Sequence, residues 1–254
     1  MENKVTASAL RSQLGEKSPP LVVDVRRESA FHASGEMLGG ALRRDPEQLH
    51  GWVKSLPTAQ NVVVYCVHGH EVSQRAAAAL GQAGIPARYL EGGLEGWKEA
   101  QGALDRKPRG GATRWITRER PKIDRIACPW LIARFIDPGA EFVYVPSAEV
   151  KEAAGRLDAE PYDVPDVHFT HAGERCSFDA FLEHYRLSDP ALLALATIVR
   201  AADTARLDLA PQAPGLHAIS QGLSRNFADD HEMLRHGMVM YDALYTWCRQ
   251  SSQQ

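Results

Sequence analysis

The sequence has little of what marks a disulfide-stabilised, zinc-finger or membrane protein. Its 254 residues contain four cysteines, Cys66, Cys128, Cys176 and Cys248, which lie far apart and form no CxxC pair. We therefore expect neither a disulfide framework nor a local zinc knuckle. No apolar run approaches the roughly 18 residues that a membrane-spanning helix needs. The polar start, residues 1–6, does not resemble a signal peptide, so we expect a cytoplasmic protein without membrane insertion.

The charge balance provides no overall attraction to nucleic acid. The chain has 29 Lys and Arg against 32 Asp and Glu, a net charge of -3. Basic character is confined to about residues 106–125, and no helix-turn-helix pattern stands out, so DNA binding is not predicted. A hydrophobic share of 44% and a charged share of 24% are those of an ordinary globular protein. The length allows one large domain or two of ordinary size, and no feature specifies an oligomeric state.

Strand and helix patterns alternate in the first part of the chain. Apolar runs predict strands at 21–25, 62–65 and 87–90, and helices are predicted at 46–56, 73–84 and 94–100. This alternation predicts an α/β domain in which helices flank a parallel sheet.

The second part of the chain is predicted to be mainly helical, an α+β domain. Its predicted strands are 114–117 and 141–145, and its predicted helices are 177–187, 191–203 and 229–249. The segment 101–111 is rich in glycine, proline and charge, as linkers are. We therefore predict a first domain at 1–105 and a second at 113–254.

Cys66 is the residue whose position most strongly indicates chemistry. It follows the strand pattern at 61–65 and precedes an alanine-rich helical pattern that starts at Ser73, with Gly69 between them. Parallel sheets collect ligands at the carboxyl ends of their strands, and the N-terminus of a following helix favours the nucleophilic thiolate. The alternative is a buried cysteine that serves as a small hydrophobic residue.

Three separated motifs within residues 5–101 resemble a rhodanese domain. They are Asp24-Val25-Arg26 after a strand, the Cys66 loop, and Glu91-Gly92-Gly93 with Trp97. The resemblance implies that Cys66 is the persulfide-forming catalytic residue of a sulfurtransferase, with a small sulfur donor and a thiol acceptor as partners. It implies an active-site loop whose backbone amides cradle the sulfur, formed by Val67, His68, Gly69, His70, Glu71 and Val72. Asp24 and Arg26 are then supporting residues.

Two features of this loop narrow the expected chemistry. The loop is one residue longer than in typical sulfurtransferases, as in related phosphatases and arsenate reductases, but Val72 stands where those enzymes place an arginine. Without that guanidinium, phosphoester chemistry is disfavoured. His68 and His70 either bind an anion near the thiol or are exposed loop residues, and Glu71 opposes the thiolate unless it points away.

Residues 113–250 resemble the ChrB-type chromate-resistance family. The resemblance lies in the segments 115–132, 171–179, 199–204, 229–231 and 241–245. It implies a role in chromate or oxyanion stress, and it makes chromate an expected partner. The first expectation is a sulfurtransferase fused to a chromate-resistance domain. The alternative is a chromate- or metal-responsive sensor or regulator without turnover, and reduction of the oxyanion by thiols and a metal is a third.

Basic residues near the start of this second half could attract an oxyanion. They are Arg118, Arg120, Lys122 and Arg125, and a solvated, partly paired face is the alternative. Cys128 precedes Pro129, so a helix that begins at Pro129 would make this thiol a further oxyanion-binding candidate. If the helix starts earlier, Cys128 is a packed small residue.

A divalent metal is the one cofactor that the sequence suggests. The candidate ligands are His171, Cys176, Asp230 and His231, within a wider set that includes Asp179 and Asp203. This mixture suits zinc, iron or manganese better than calcium. No histidine pair at helical spacing supports the set, and Asp229 with Glu232 also matches a helix capping box.

Overall fold

The chain forms two compact units. The computed structural model describes residues 3–16, 18–53, 56, 60–107 and 113–251. One unit comprises Met1–Ala112 with Ile136–Pro138, and the other comprises Thr113–Phe135 with Gly139–Gln254. The part of the predicted linker at 108–111 lies outside the described residues. Within the described ranges, no helix is both long enough and apolar enough to cross a membrane.

A parallel sheet forms the centre of the first unit, as the alternating pattern predicts. The strands of this unit are β1 (Lys4–Val5), β2 (Leu21–Asp24), β3 (Glu36–Leu38), β4 (Leu42–Arg43), β5 (Val62–Tyr65), β6 (Ala87–Leu90) and β7 (Leu104–Arg106). Five of them pair in parallel in the order β1-β6-β5-β2-β4. Strands β2 and β5 are buried at every position, which is why their sequences are continuous apolar runs rather than alternating ones.

Helices flank this sheet. They are α1 (Ala7–Leu14), α2 (Glu28–Ala33), α3 (Leu49–Trp52), α4 (Glu71–Gln82) and α5 (Gly93–Glu99), with a 3-10 turn at Pro46–Gln48. Helix α4 buries Ser73, Ala76, Ala77 and Leu80, which share one face at helical spacing. Full burial of the Leu80 side chain contributes about 1.5–3 kcal/mol relative to exposure. Helix α4 starts at Glu71, two residues earlier than predicted.

The beginning of the predicted linker belongs to the first unit. Strand β7 pairs antiparallel with β3, so the predicted domain end at residue 105 falls inside a strand. Just after it, the buried ammonium group of Lys107 donates to the carbonyl oxygens of Phe31 and Ser34 at 2.7 and 2.9 Å. The indole of Trp97 donates to the carbonyl of Ala103 at 2.9 Å. Backbone and side-chain hydrogen bonds thus order a segment whose composition indicates a linker.

The second unit is helix-rich around a small parallel sheet. Its strands are β8 (Arg114–Arg118), β9 (Glu141–Val145) and β10 (Glu160–Pro161), in the order β10-β8-β9. Its helices are α6 (Ile123–Leu131), α7 (Val150–Leu157), α8 (Ser177–His184), α9 (Pro190–Asp203), α10 (Ala213–Asn226) and α11 (Asp230–Ser251). A π-helical turn at Ile132–Ile136 follows α6. In α11, Leu234, Tyr241 and Cys248 are buried at spacings of seven residues, so they share one face of the helix.

Candidate functional site

Cys66 lies at the carboxyl end of β5, directly before the loop that leads to α4. The residue is 7% exposed, and its Sγ lies 3.2 Å from Oγ of Ser73 and 4.0 Å from the carbonyl oxygen of His70. Ser73 belongs to the first turn of α4, where helix N–H groups have no intrahelical partner. The sulfur therefore lies beside a hydroxyl group at the positive end of a helix. A cysteine that serves only as a small hydrophobic residue does not require such surroundings.

Glycine is required at two positions of this site, because the backbone of the loop after Cys66 and the backbone at the start of α5 lie very close together. Gly69 has φ +73 and Gly93 has φ +58, both in the left-handed region that glycine favours. A Cβ on Gly93 would overlap the carbonyl oxygens of Cys66 and Val67. At the start of α5, Leu94 N–H donates to the carbonyl of Cys66 at 2.9 Å. The N-terminus of α5 therefore fixes the loop around the thiol.

The polar side chains of the loop point to solvent. His68 and His70 are exposed, with ring centroids 5.9 Å apart. Glu71 is exposed as well, so its carboxylate points away, as a thiolate site requires. Glu71 and Val72 are helical, and only 67–70 form the loop after Cys66. The six residues predicted as loop are therefore four loop residues and the first two residues of α4.

Asp24 and Arg26 lie in a buried network next to the strand that carries Cys66. Arg26 donates to both carboxylate oxygens of Asp24, and Tyr65 O–H donates to Asp24 Oδ2 at 2.7 Å. Burial, and after it the negative charge of Asp24, raises the pKa of Tyr65 well above its ordinary value, so the phenol stays a donor. Since Tyr65 directly precedes Cys66, the network holds the end of β5 in place, and the supporting role of Asp24 and Arg26 stays a prediction.

The predicted oxyanion cluster in the second unit already has partners for most of its charges. Arg118 and Arg125 both lie 3.3 Å from Oδ2 of Asp163. The guanidinium of Arg120 donates to the backbone carbonyls of residues 224, 227 and 228, so this side chain is not directed at an oxyanion. Lys122 caps the start of α6 without a side-chain capping bond. The alternative of a paired, partly solvated face fits this geometry.

Cys128 is a packed residue rather than a reactive thiol at a helix start. Helix α6 begins at Ile123, with Pro129 inside it, and Cys128 is fully buried. Burial raises the pKa of the Cys128 thiol well above its ordinary value, and the charge of Asp124 raises it further. Pro129 lacks the N–H that would bond the carbonyl of Arg125, and Tyr144 O–H lies 3.4 Å from that oxygen instead. The prediction of Cys128 as an oxyanion ligand is therefore wrong.

A cluster of three carboxylates and one imidazole occupies the second unit. Nε2 of His171 lies 3.1 Å from Asp203, 3.3 Å from Asp163 and 3.5 Å from Asp124. Among the described residues, Asp124, Asp163 and His171 are the group whose ligand atoms all lie within 4.8 Å of one another. Ser177 at the start of α8 donates its N–H to Asp124 at 2.6 Å and its hydroxyl to Asp163 at 2.8 Å. We call these four acid and imidazole side chains the Asp/His cluster.

The Asp/His cluster concentrates negative charge in a buried place. Burial raises the pKa of Asp124 well above its ordinary value, and the charges of Asp203 and Asp163 add to this effect. Hydrogen bonds with Asp163 and Asp203 raise the pKa of His171 to about 10. Burial opposes ionisation of Asp163, but bonds from His171 and Ser177 outweigh it and lower the pKa of Asp163. The cluster thus favours a cation among its carboxylates.

Of the four residues predicted as metal ligands, His171 alone belongs to the cluster. Cys176 is fully buried at the N-terminus of α8, and burial raises the pKa of its thiol. Asp230 accepts the N–H of Arg120 at 3.0 Å, and His231 packs against Tyr144 with centroids 5.4 Å apart.

In the wider set, Asp203 joins the cluster, whereas Asp179 pairs with Arg200 at 2.9 and 3.0 Å. Asp124 and Asp163 cannot be predicted as ligands from the sequence, because neither has another candidate ligand at the spacing of a known metal-binding motif.

Comparison with known families assigns both parts of the chain. The model of the rhodanese-like domain matches residues 6–100, and the model of the ChrB C-terminal domain matches residues 115–248. Protein ChrB of Cupriavidus metallidurans is 34% identical over 133 residues, which are 52% of this chain and 40% of that protein. The matched region thus spans less than half of this curated relative.

Two of the solved structures that are similar to the chain each cover about two fifths of it. A full-length protein from Lactobacillus plantarum is 27% identical, covers 41% of this chain and 87% of its own, and has a TM-score of 0.37. A rhodanese-like domain protein from Staphylococcus aureus is 24% identical, covers 42% of this chain and 99% of its own, and has a TM-score of 0.36.

The two family matches confirm both resemblances that the sequence motifs indicate. The first unit, a parallel sheet flanked by helices, is a rhodanese-like domain. The match to the second family covers just over half of the 254 residues. The chain therefore belongs to the ChrB C-terminal domain family and carries a rhodanese-like domain in its first part.

Proposed function

We propose that the first unit is a sulfurtransferase in which Cys66 carries a persulfide, and that the chain acts in chromate or related oxyanion stress. The observation that carries the proposal is the position of Cys66 Sγ at the N-terminus of α4, 3.2 Å from the Ser73 hydroxyl. Helix N-termini stabilise anions, and both a thiolate and a persulfide are anions. The fixed loop and the Asp24 network keep the sulfur at this place.

The reaction consists of two displacements at sulfur. The Cys66 thiolate attacks the outer sulfur of a donor such as thiosulfate, forms a new S–S bond, and breaks the donor's S–S bond. Sulfite leaves with the electron pair of the broken bond, and Cys66 becomes a persulfide. An acceptor thiolate then attacks the outer sulfur of this persulfide, takes it, and releases the Cys66 thiolate. No external oxidant or reductant is needed in either step.

The position of the thiol supports a small donor. Cys66 is only 7% exposed, while His68 and His70 at the loop surface are exposed. A thiosulfate dianion could reach the sulfur at the end of α4, and two exposed imidazoles on the same loop carry ring N–H groups that can donate hydrogen bonds to it. We therefore assign donor binding to the loop 67–70 and the N-terminus of α4, and we assign no chemical step to Asp24 or Arg26.

Turnover with thiosulfate tests the enzymatic part of the proposal. We expect the full-length protein to transfer sulfur from thiosulfate to a thiol or to cyanide, and Cys66→Ala to lower the rate to that of the uncatalysed reaction. Cys248→Ala, which removes a cysteine of the second unit, serves as the matched control and retains the rate. Equal turnover by wild type and Cys66→Ala would exclude Cys66 as the nucleophile.

The link to oxyanion stress is supported by membership of the ChrB C-terminal domain family. The test is growth in chromate of cells that lack the gene and are complemented with wild-type protein or with Cys66→Ala. We expect wild type to restore growth and the variant to restore less. Equal growth with wild type and with an empty vector would contradict this part without bearing on sulfur transfer.

A further inference from the structure

We propose that the Asp/His cluster binds one divalent transition-metal ion through Asp124, Asp163 and His171, with Asp203 beside them. The cluster lies in the second unit and plays no part in the sulfur transfer proposed for Cys66. Its members come from four parts of that unit: the first turn of α6, the segment after β10, the loop before α8, and the end of α9. The proposal therefore concerns a site that the fold assembles, and it stands whether or not Cys66 transfers sulfur.

The distances from Nε2 of His171 to the carboxylate oxygens are close to those between atoms that share a metal ion, and the ligand atoms of Asp124, Asp163 and His171 all lie within 4.8 Å of one another. Nε2 of His171 lies 3.1, 3.3 and 3.5 Å from oxygens of Asp203, Asp163 and Asp124. Ligands about 2.1 Å from an ion in tetrahedral or octahedral geometry are about 3.0–3.4 Å apart. One imidazole N–H can form a well-aligned hydrogen bond with only one acceptor at a time. Three carboxylates around one nitrogen are thus better explained by a shared cation than by that single hydrogen.

Asp124 supplies the second, independent observation. Its side chain is 1% exposed, and its Oδ2 accepts the N–H of Ser177 and lies 3.5 Å from His171. Its Oδ1 is buried and has no hydrogen-bond partner among the described residues. Buried polar atoms almost always have a hydrogen-bond partner, and leaving one without a partner is unfavourable. A cation among the cluster oxygens provides the partner that this carboxylate otherwise lacks.

The neighbouring arginines hold Asp163 but do not fill the site. Arg118 and Arg125 both contact Oδ2 of Asp163, while Oδ1 of the same carboxylate faces His171 and accepts the hydroxyl of Ser177. Outer contacts of this kind orient a ligand and leave one oxygen for the ion. The competing account is that a protonated imidazole alone balances the carboxylates. That account leaves Oδ1 of Asp124 without a partner.

The ligand chemistry narrows the choice of ion. Carboxylate oxygens with one imidazole nitrogen suit manganese, iron(II) or zinc, whereas calcium takes six to eight oxygen ligands. The His171 side chain is 40% exposed, so an ion can enter from solvent on that side. Because a metal ion displaces the proton of an imidazole ligand, binding should tighten as pH rises.

Titration of the full-length protein with Mn²⁺ after removal of metal with a chelator tests the proposal. The electron paramagnetic resonance signal of free Mn²⁺ reports binding, and Mn²⁺ prefers oxygen and nitrogen ligands, so the cysteines do not compete. Displacement of the bound Mn²⁺ by Zn²⁺ shows whether both ions use the site. We expect one ion per chain in wild type and in Asp208→Asn, whose exposed carboxylate lies outside the cluster. We expect Asp124→Asn and His171→Gln to bind at least about tenfold more weakly.

Thermal unfolding with and without Mn²⁺ separates loss of the site from loss of the fold. The melting temperature should rise with Mn²⁺ in wild type and Asp208→Asn, and it should rise less at the same Mn²⁺ concentration in the two cluster variants. Without metal, Asp124→Asn should melt no lower than wild type, because a neutral amide is easier to bury than a carboxylate. If Asp124→Asn does not fold, His171→Gln at its half-exposed position decides the result. Equal affinity in all four proteins, or no binding at one ion per chain, would overturn the proposal.

Discussion

At the level of single residues, the surroundings of each sulfur distinguish Cys66 from the other cysteines of the chain. Cys66 has a hydroxyl neighbour and a helix N-terminus, whereas Cys128 and Cys176 are fully buried. Burial raises the pKa of the Cys128 and Cys176 thiols, so neither is a competent nucleophile near neutral pH. Cys248 is buried as well, and burial raises the pKa of its thiol. Sulfur chemistry in this protein is therefore expected at Cys66. The hydroxyl of Ser73 donates to the carbonyl of His70 at 3.1 Å, and it can stabilise the Cys66 thiolate by turning its proton to the sulfur.

Replacement of Ser73 by alanine tests that contact. We expect Ser73→Ala to slow alkylation of Cys66 by iodoacetamide at neutral pH about tenfold, the loss of one hydrogen bond to a charged sulfur. Arg75→Ala is the matched control, because Arg75 lies on the same helix and its guanidinium pairs with exposed Glu47. An unchanged rate in Ser73→Ala would show that the hydroxyl does not stabilise the thiolate.

At the scale of secondary structure elements, the start of α5 fixes the loop around the thiol. Gly93→Ala would bring a Cβ into the carbonyl oxygens of Cys66 and Val67, at a residue with φ +58. We expect a loss of stability of about 1–3 kcal/mol and a weaker sulfur-transfer activity, measured by urea unfolding and thiosulfate turnover. Gly81→Ala, which meets open space inside α4, should instead stabilise by up to about 1 kcal/mol. Similar effects of both substitutions would refute the packing argument.

A charged contact joins α11 to the segment after α6, and it predicts a pH dependence. Asp242 accepts the guanidinium of Arg134 at 2.9 Å and the indole N–H of Trp130 at 2.8 Å. These bonds, with that from Arg134 the largest, lower the pKa of Asp242 below its ordinary 3.8. A lowered folded pKa contributes stability above pH 3.8 that is lost as pH falls through the folded value.

Asp242→Asn should therefore be less stable than wild type at pH 7, and the difference should shrink below pH 3.8. Urea unfolding midpoints at several pH values measure this, with Asp208→Asn as the control for loss of an exposed carboxylate. A difference that is constant with pH would exclude the ionised Asp242 as its cause.

Helices and strands that have a clear local pattern, such as an apolar run or an alanine-rich segment with one apolar face, are predicted well from the sequence. Strand β5 is a continuous apolar run, and α4 combines alanine-rich composition with one buried face. Pairing between strands that are far apart in the chain is not visible in the sequence. For this reason β7 is predicted as part of a linker and β3 is not predicted at all, although the two strands pair with each other. Helix α6 contains a proline whose missing N–H is compensated by Tyr144, a contact that only the fold provides.

At the level of the whole molecule, the end of the first unit predicts which fragments of the chain fold stably. Because β7 pairs with β3 and Lys107 bonds the chain at Phe31 and Ser34, we expect a fragment of residues 1–107 to fold. A fragment of residues 1–103 lacks this strand and should unfold at lower urea concentration. Circular dichroism with urea titration measures both. Equal stability would mean that the segment 104–107 does not belong to the folded unit.

The thiol site could be predicted from the sequence and the Asp/His cluster could not, because the two are assembled differently in the fold. The thiol site is local: a strand, a short loop and a helix N-terminus follow one another along the chain at 62–73, so the motif is visible. The Asp/His cluster is assembled from residues 124, 163, 171 and 203, each in a different element or loop. Spacing along the sequence cannot indicate such a cluster. The sequence therefore predicts His171 together with Cys176, Asp230 and His231, whereas the fold places it beside Asp124, Asp163 and Asp203.

If Cys66 carries transferable sulfur, mass spectrometry of the donor-treated protein should detect that sulfur on the residue itself. After incubation with thiosulfate and rapid acid quenching, we predict a gain of about 32 Da, one sulfur atom, on the peptide that contains Cys66. This gain should disappear when a thiol acceptor is added. The peptides that contain Cys128, Cys176 and Cys248 should keep their mass. If neither thiosulfate nor any other sulfane-sulfur donor gives an adduct on Cys66, this residue does not carry transferable sulfur.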